Sequence, residues 1–92
     1  MAHIPDTLLN LSKITSEQCD VTFATREHQT REPHTHPTPI YVMVTEGTMF
    51  VASGGKEKAF HAGEWCVIDA GVAHAERFAE KTSTVVFWVK AA

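Results

Sequence analysis

Apolar and polar residues alternate in short runs along most of this chain, and little of it has the period of an amphipathic helix. Seven runs rich in β-branched and aromatic residues are bounded by glycine, proline and other turn-forming residues, as is typical of strands. We predict strands at 20–26, 40–45, 48–53, 57–60, 64–68, 73–79 and 83–90. One helical turn is predicted near the amino terminus, where Asp6 can cap a short leucine-rich segment.

Turn residues separate these runs closely enough to favour antiparallel connections. Glu46 and Gly47 form one predicted hairpin turn, and a second lies at 53–56, where two glycines can adopt positive φ. Strands with no helices between them do not form a parallel sheet, because parallel strands need long crossover connections. The sequence therefore predicts an all-β fold, a small antiparallel β-barrel or jelly roll, in a single domain spanning residues 1–92.

Composition and charge restrict the classes of function. The chain has eight Lys and Arg against eleven Asp and Glu, with no basic cluster, which argues against a general nucleic-acid binder. No apolar run approaches the ~20 residues of a membrane helix, and the amino terminus lacks the basic start and apolar core of a signal peptide. With only two cysteines, we expect reduced thiols in a cytoplasmic protein.

Six histidines are an unusual number for a chain of this length, and two of them, His34 and His36, precede an apolar run. Side chains alternate along a strand, so both imidazoles point to one side, and Ile40, Val42 and Val44 continue that face if no bulge intervenes. Imidazoles on an apolar face are costly unless they are hydrogen-bonded or bound to something. The pattern indicates either a divalent transition-metal site, with Fe, Mn, Ni, Cu or Zn, or solvated loop histidines.

The wider spacing resembles the cupin superfamily, whose two motifs are G-x5-H-x-H-x3or4-E-x6-G and G-x5-P-x-G-x2-H-x3-N. Six motif positions are matched, and they are His34, His36 and Gly47 in the first motif and Gly63, Gly71 and His74 in the second. The resemblance implies a small β-barrel that holds a metal through the three histidines. It also implies a small-molecule ligand that reaches the metal from the mouth of the barrel.

The chain departs from the family pattern at its metal-binding glutamate, because the two permitted spacings place Ile40 or Tyr41 there. His28, Asp69 and Phe78 stand in place of the leading glycine, the proline and the closing asparagine. The resemblance therefore implies three ligands and not four. Three histidines leave positions open for water or substrate, and cupins that activate dioxygen, such as the cysteine dioxygenases and the diketone-cleaving enzymes, are known for such sites.

Glu76 is a candidate replacement for the missing carboxylate. His74, Glu76 and Phe78 alternate onto one face of a predicted strand, so Glu76 points inward if His74 does. Glu76 would then be a fourth ligand, a hydrogen-bond acceptor that orients a histidine, or a general base. The alternative is a bulge after His74 that turns Glu76 to solvent.

These observations predict a metal-binding cupin that acts on a small organic molecule, with a mononuclear dioxygenase-like oxidoreductase as the first hypothesis. A metal-assisted isomerase or lyase is the second. A non-catalytic binding or sensor module is the alternative that the short chain favours, and a metal-free cupin would need all three histidines satisfied by hydrogen bonds. We also predict a homodimer. Tyr41 and Met43 are expected on the outer face of their strand, and the apolar final run contains Trp88 as a possible anchor.

Overall fold

The computed structural model describes residues 19–90, which form eight strands. The strands are β1 (Cys19–Arg26), β2 (Gln29–Thr30), β3 (Ile40–Glu46), β4 (Thr48–Ser53), β5 (Lys56–His61), β6 (Trp65–Ile68), β7 (Ala75–Phe78) and β8 (Thr82–Val89). All seven predicted strands are present, with ends that differ by at most two residues. The short β2 was not predicted, because its two exposed polar residues carry no apolar pattern. The helical turn predicted at Asp6 lies outside the described residues.

The strands form two four-stranded antiparallel sheets, in the orders β1-β8-β3-β6 and β2-β7-β4-β5. This confirms the predicted all-β jelly-roll architecture. The turn at 53–56 joins β4 to β5 as a hairpin, and Gly54 and Gly55 both have positive φ. The predicted hairpin at Glu46 and Gly47 is wrong, because β3 and β4 belong to different sheets and this turn carries the chain from one to the other. Within the described part of the chain, no helix is long and apolar enough to cross a membrane.

The core lies between the two sheets and comes from alternate residues of their strands. Its buried apolar side chains are Ile40, Val42, Val44, Met49, Val51, Cys66, Ile68 and Phe78. Both cysteines of the chain are free thiols. Burial raises the pKa of the Cys66 thiol to about 11, so this side chain is a packed apolar group and not a nucleophile.

The outer face of the β1-β8-β3-β6 sheet is also apolar. Tyr41 alternates with the core residues of β3 and yet is buried, and the ring of Trp65 packs against Phe87 with centroids 5.6 Å apart. On the edge strand β1, Val21 is 48% exposed and Phe23 is 80% exposed. An apolar surface therefore continues across the sheet to a strand that leaves a large aromatic side chain in solvent.

Gly47 allows two segments to approach closely at the corner between the sheets. Its φ is +79°, and a Cβ atom there would lie 2.3 Å from the carbonyl oxygen of Lys81 and 2.8 Å from Oγ1 of Thr82. Thr82 is fully buried, and its Oγ1 lies 3.0 Å from the carbonyl oxygens of both Thr48 and Glu80. The corner is thus too tightly packed for any side chain at position 47.

We predict that Gly47→Ala lowers the free energy of unfolding by clearly more than Gly54→Ala does. Gly54 also has a positive φ, of 60°, but no atom lies within 4 Å of the position that a methyl group there would occupy, so alanine costs only backbone strain of about 1 kcal/mol. Gly47→Ala adds a clash with backbone atoms. Urea denaturation of the two variants measures the difference, and equal losses would contradict the assignment.

Candidate metal centre

His34 and His74 are paired by their backbones in an isolated β-bridge. The amide of each residue donates to the carbonyl oxygen of the other, with N–O distances of 2.9 and 3.0 Å. Side chains of directly opposed residues in an antiparallel pair lie on the same face. The backbone therefore brings these two imidazoles together, although they are forty residues apart in the chain.

The pairing register shifts by one residue before this bridge, because the segment that leads to His34 contains one residue more than the segment opposite it. Beyond β2 and β7, the amide of Arg31 donates to the carbonyl oxygen of Glu76 at 2.8 Å. An unbroken register would place Pro33 opposite His74, whereas the observed partner is His34. This bulge-like irregularity re-aims the segment, and it puts His34 on the same face as His74.

Hydrogen bonds of two rings determine which nitrogen atoms face the centre. Nδ1 of His34 lies 2.7 Å from the carbonyl oxygen of Glu32, and Nδ1 of His74 lies 3.0 Å from that of Val72. A carbonyl oxygen only accepts, so each Nδ1 carries the proton and each Nε2 presents a lone pair. This is the tautomer in which a histidine binds a metal through Nε2.

His36 completes a cluster of three imidazoles. The ring centroids are 4.4 to 5.1 Å apart, and one nitrogen of each ring lies within 4.8 Å of the other two. The amide of Gly71 donates to the carbonyl oxygen of His36 at 2.9 Å, which ties this segment to the turn before β7. Burial, together with the neighbouring imidazoles, lowers the pKa of His36, which favours the neutral ring that a metal ligand requires.

The carboxylate of Glu76 is directed at the same point. Its Oε2 lies 3.5 Å from Nε2 of His34, and its Oε1 lies 3.8 Å from Nε2 of His74. The side chain is 14% exposed, so the alternative in which a bulge turns Glu76 to solvent is wrong. The alternation that starts at His74 continues through Glu76, as the local pattern predicts.

Buried polar atoms without hydrogen-bond partners converge at this centre. Nε2 of His36, Nε2 of His74 and Oε2 of Glu76 are buried and have no hydrogen-bond partner among the described residues. Buried polar atoms left unpaired so close together are unfavourable, and a cation bound between them would satisfy them. Imidazole nitrogen and carboxylate oxygen are ligands of divalent transition metals, so the residues present fit such an ion.

His34 and His36 of the cluster, together with Glu76, line a cavity of about 170 Å³ between the two sheets. Its apolar walls include Ile40, Val42, Met49, Phe78, Val86 and Trp88. The rest of its polar lining consists of Thr22, Thr84, Arg26 and Arg31. A ligand in this cavity would contact these polar groups and the two histidines as well as aliphatic or aromatic carbon.

A family model described as the cupin domain matches residues 21–90 of this chain. The chain belongs to the cupin domain family. No curated protein matches its sequence. The three motif histidines of this cupin are the residues that its fold brings together into the cluster.

Solved structures share the fold of this cupin at low sequence identity. A cupin-2 domain containing protein from Shewanella frigidimarina aligns with a TM-score of 0.76 and 23% identity, over 84% of this chain and 76% of that one. A cupin superfamily protein from Desulfitobacterium hafniense gives 0.75 and 6%, over 85% and 72%. A putative ethanolamine utilization protein from Salmonella typhimurium gives 0.75 and 19%, over 82% and 60%. These similarities show the fold alone.

The other described histidines of the cupin lie outside the cluster. His28 is exposed in the turn between β1 and β2, where its φ is +51°. His61 is exposed at the end of β5, and its Nδ1 lies 3.1 Å from Oγ1 of Thr48. Both residues therefore serve as controls for the three clustered histidines.

Trp88 faces the cavity. The sequence offers it only as a possible dimer anchor, and in the structure it lines the cavity and packs edge-on against His36, with ring centroids 5.4 Å apart. Its indole nitrogen donates to Oγ1 of Thr22 at 2.7 Å. Alternation along β8 from the buried Thr84 assigns Trp88 to the inner face. The sequence pattern does not distinguish the inner face from the outer one, because the run is apolar on both.

We predict that Glu76→Gln weakens divalent-metal binding roughly tenfold or more, because it removes the negative charge beside Nε2 of two histidines. Competition with a chromophoric chelator measures the affinity. Glu64→Gln is the matched control, since the Glu64 carboxylate is exposed and, within residues 19–90, accepts only from the amide of His61, at 2.8 Å. Equal affinities for the two variants would show that Glu76 takes no part in holding the ion.

Proposed function

We propose that this cupin binds one divalent transition metal through Nε2 of His34, His36 and His74. The observation that supports this most directly is the set of buried polar atoms that have no hydrogen-bond partner among the described residues and converge at the three histidines. The hydrogen bonds from Nδ1 of His34 and His74 to carbonyl oxygens support it independently, because they leave both Nε2 lone pairs free for a cation.

We further propose that the centre acts on a small organic molecule in the adjoining cavity, as a dioxygenase-like oxidoreductase. A bound metal would supply Lewis acidity and, if redox-active, a route for electrons to dioxygen. The chain itself supplies the rest. Glu76 is placed to accept a proton from a ligand beside His34, and the apolar side chains of the cavity exclude water from it.

A non-catalytic binding or sensor module is the second candidate. The observation in its favour is the cavity, whose volume of about 170 Å³ is smaller than the ~300–1,000 Å³ typical of ligand pockets. A site of that size accommodates a small ligand and little else. Such a module would use the same three histidines and would retain its ligand unchanged.

We predict about one equivalent of divalent metal per chain in protein purified without a histidine tag, measured by elemental analysis. His34→Ala, His36→Ala and His74→Ala should each lower the metal content sharply, since each removes one of three ligands. His28→Ala and His61→Ala are the controls and should retain the metal. Full occupancy in His74→Ala would exclude the site.

The same preparations separate the two candidate functions. Dioxygen uptake with a panel of thiols and β-dicarbonyl compounds should occur in the metal-replete parent and be absent from His74→Ala if the cupin is a dioxygenase. A compound that binds without uptake and is recovered unchanged would favour the binding module. Metal content is measured in every sample, so a lost activity can be traced to the ion.

We also propose that this cupin is a homodimer that buries the apolar outer face around Val21 and Phe23. Sedimentation equilibrium should give about twice the chain mass of 10.2 kDa. Phe23→Ser should shift the equilibrium toward the monomer without changing the metal content, since Phe23 is exposed on β1 and does not line the cavity that the histidines face. A monomeric parent protein at micromolar concentration would refute this proposal.

A further inference from the structure

Two arginines line the cavity that the histidines face. Arg26 ends β1, and Arg31 directly follows β2. These are edge strands of different sheets, so the backbones of the two arginines come from opposite sides of the gap between the sheets. Nη1 of Arg26 donates to Oε1 of Gln29 at 3.3 Å, which links β1 to β2 through a neutral partner.

Neither arginine has a carboxylate partner within residues 19–90. Other cations of the described chain do: Arg77 contacts Glu57 at 2.9 Å, and Lys90 contacts Asp20 at 3.2 Å. Glu76 shares the cavity with both arginines, but its carboxylate oxygens are directed at His34 and His74. The guanidinium donors therefore remain available to an anion that enters the cavity.

The charge balance of the cavity lining is positive, although the chain as a whole has a net charge of -3. Arg26 and Arg31 contribute two positive charges, and Glu76 contributes the single negative one. A divalent ion at the histidines would make the balance more positive. A concave, apolar-walled site of one charge sign concentrates its field, so this cavity attracts anions.

The shape of the donors and the walls restricts the kind of anion. A guanidinium presents a planar fork of N–H donors that matches a carboxylate with two parallel hydrogen bonds. The remaining walls are carbon, from side chains such as Ile40, Val42 and Val86. A molecule with one carboxylate and a short apolar remainder satisfies both, and the cavity of about 170 Å³ limits its size.

We propose that the small molecule taken by this cupin is an organic carboxylate, held by Arg26 and Arg31 with its apolar part against the cavity walls. The inference rests on the proposed function in one respect, that this ligand lies beside the metal held by the three histidines. Arg26 and Arg31 act as binding and specificity residues. They take no part in holding the ion.

Trp88 supplies a reporter of binding. The chain has two tryptophans, and Trp65 lies on the outer face of the sheet while Trp88 lines the cavity. Trp65→Phe therefore leaves one indole, inside the cavity, whose fluorescence can be titrated. The probes are butyrate, its neutral analogue butyramide, and inorganic phosphate, and the metal content of each sample is measured.

In the Trp65→Phe parent we expect butyrate to bind at least about tenfold more tightly than butyramide, because hydrogen bonds from a guanidinium to a carboxylate are charge-assisted and stronger than those to a neutral amide. Arg26→Gln and Arg31→Gln should each weaken butyrate binding about tenfold and leave butyramide binding unchanged. Arg77→Gln is the matched control, because it removes the same charge from the opposite face of β7, where Arg77 is paired with Glu57. It should bind butyrate like the parent.

Three results would overturn the inference: equal binding of butyrate and butyramide, an unchanged preference in both arginine variants, or tighter binding of phosphate than of butyrate. An unchanged preference would mean that the metal alone selects the anion. Failure of the proposed function is distinguishable. A protein that holds no metal but loses butyrate binding in the arginine variants supports this inference, whereas full metal content with no preference for the carboxylate refutes it alone.

Discussion

The reciprocal backbone hydrogen bonds between His34 and His74 are the constraint on which the candidate site depends. They connect a proline-rich loop before β3 to the turn before β7, and they set the two residues directly opposite each other. Once this bridge exists, the two-residue alternation adds His36 on one side and Glu76 on the other. Four polar side chains then meet at one point.

Such a meeting is electrostatically unfavourable by itself. Imidazole lone pairs and a carboxylate approach one another in a partly buried place, and burial favours the neutral form of His36. The two sheets hold this arrangement together through the core between them, which includes Val44 and Met49. A preformed group of ligands of this kind has little to reorganise when a cation enters, and Arg26 and Arg31 in the same cavity lining carry charge opposite to that of Glu76.

The last apolar run of the sequence forms the central strand β8, whose two faces contact different parts of the protein. The strand lies between β1 and β3, so both of its edges are hydrogen-bonded. Val86 and Trp88 face the cavity, whereas Phe87 packs against Trp65 on the outside. One strand therefore supplies both the wall of the proposed ligand site and part of the apolar outer surface that we propose is buried between two copies of the chain.

Features that depend on neighbouring residues could be predicted from the chain alone. They are the seven predicted strands, the hairpin at 53–56 and the shared face of His74 and Glu76, since alternation and positive φ are local properties. Motif spacing identified the three histidines. The three-dimensional fold was needed to show that the turn at Gly47 joins strands of different sheets and that one extra residue pairs His34 with His74. It also decided that arginines from two edge strands line one cavity. Those features depend on which distant strands form hydrogen bonds and in which register, and no local pattern of residues specifies either.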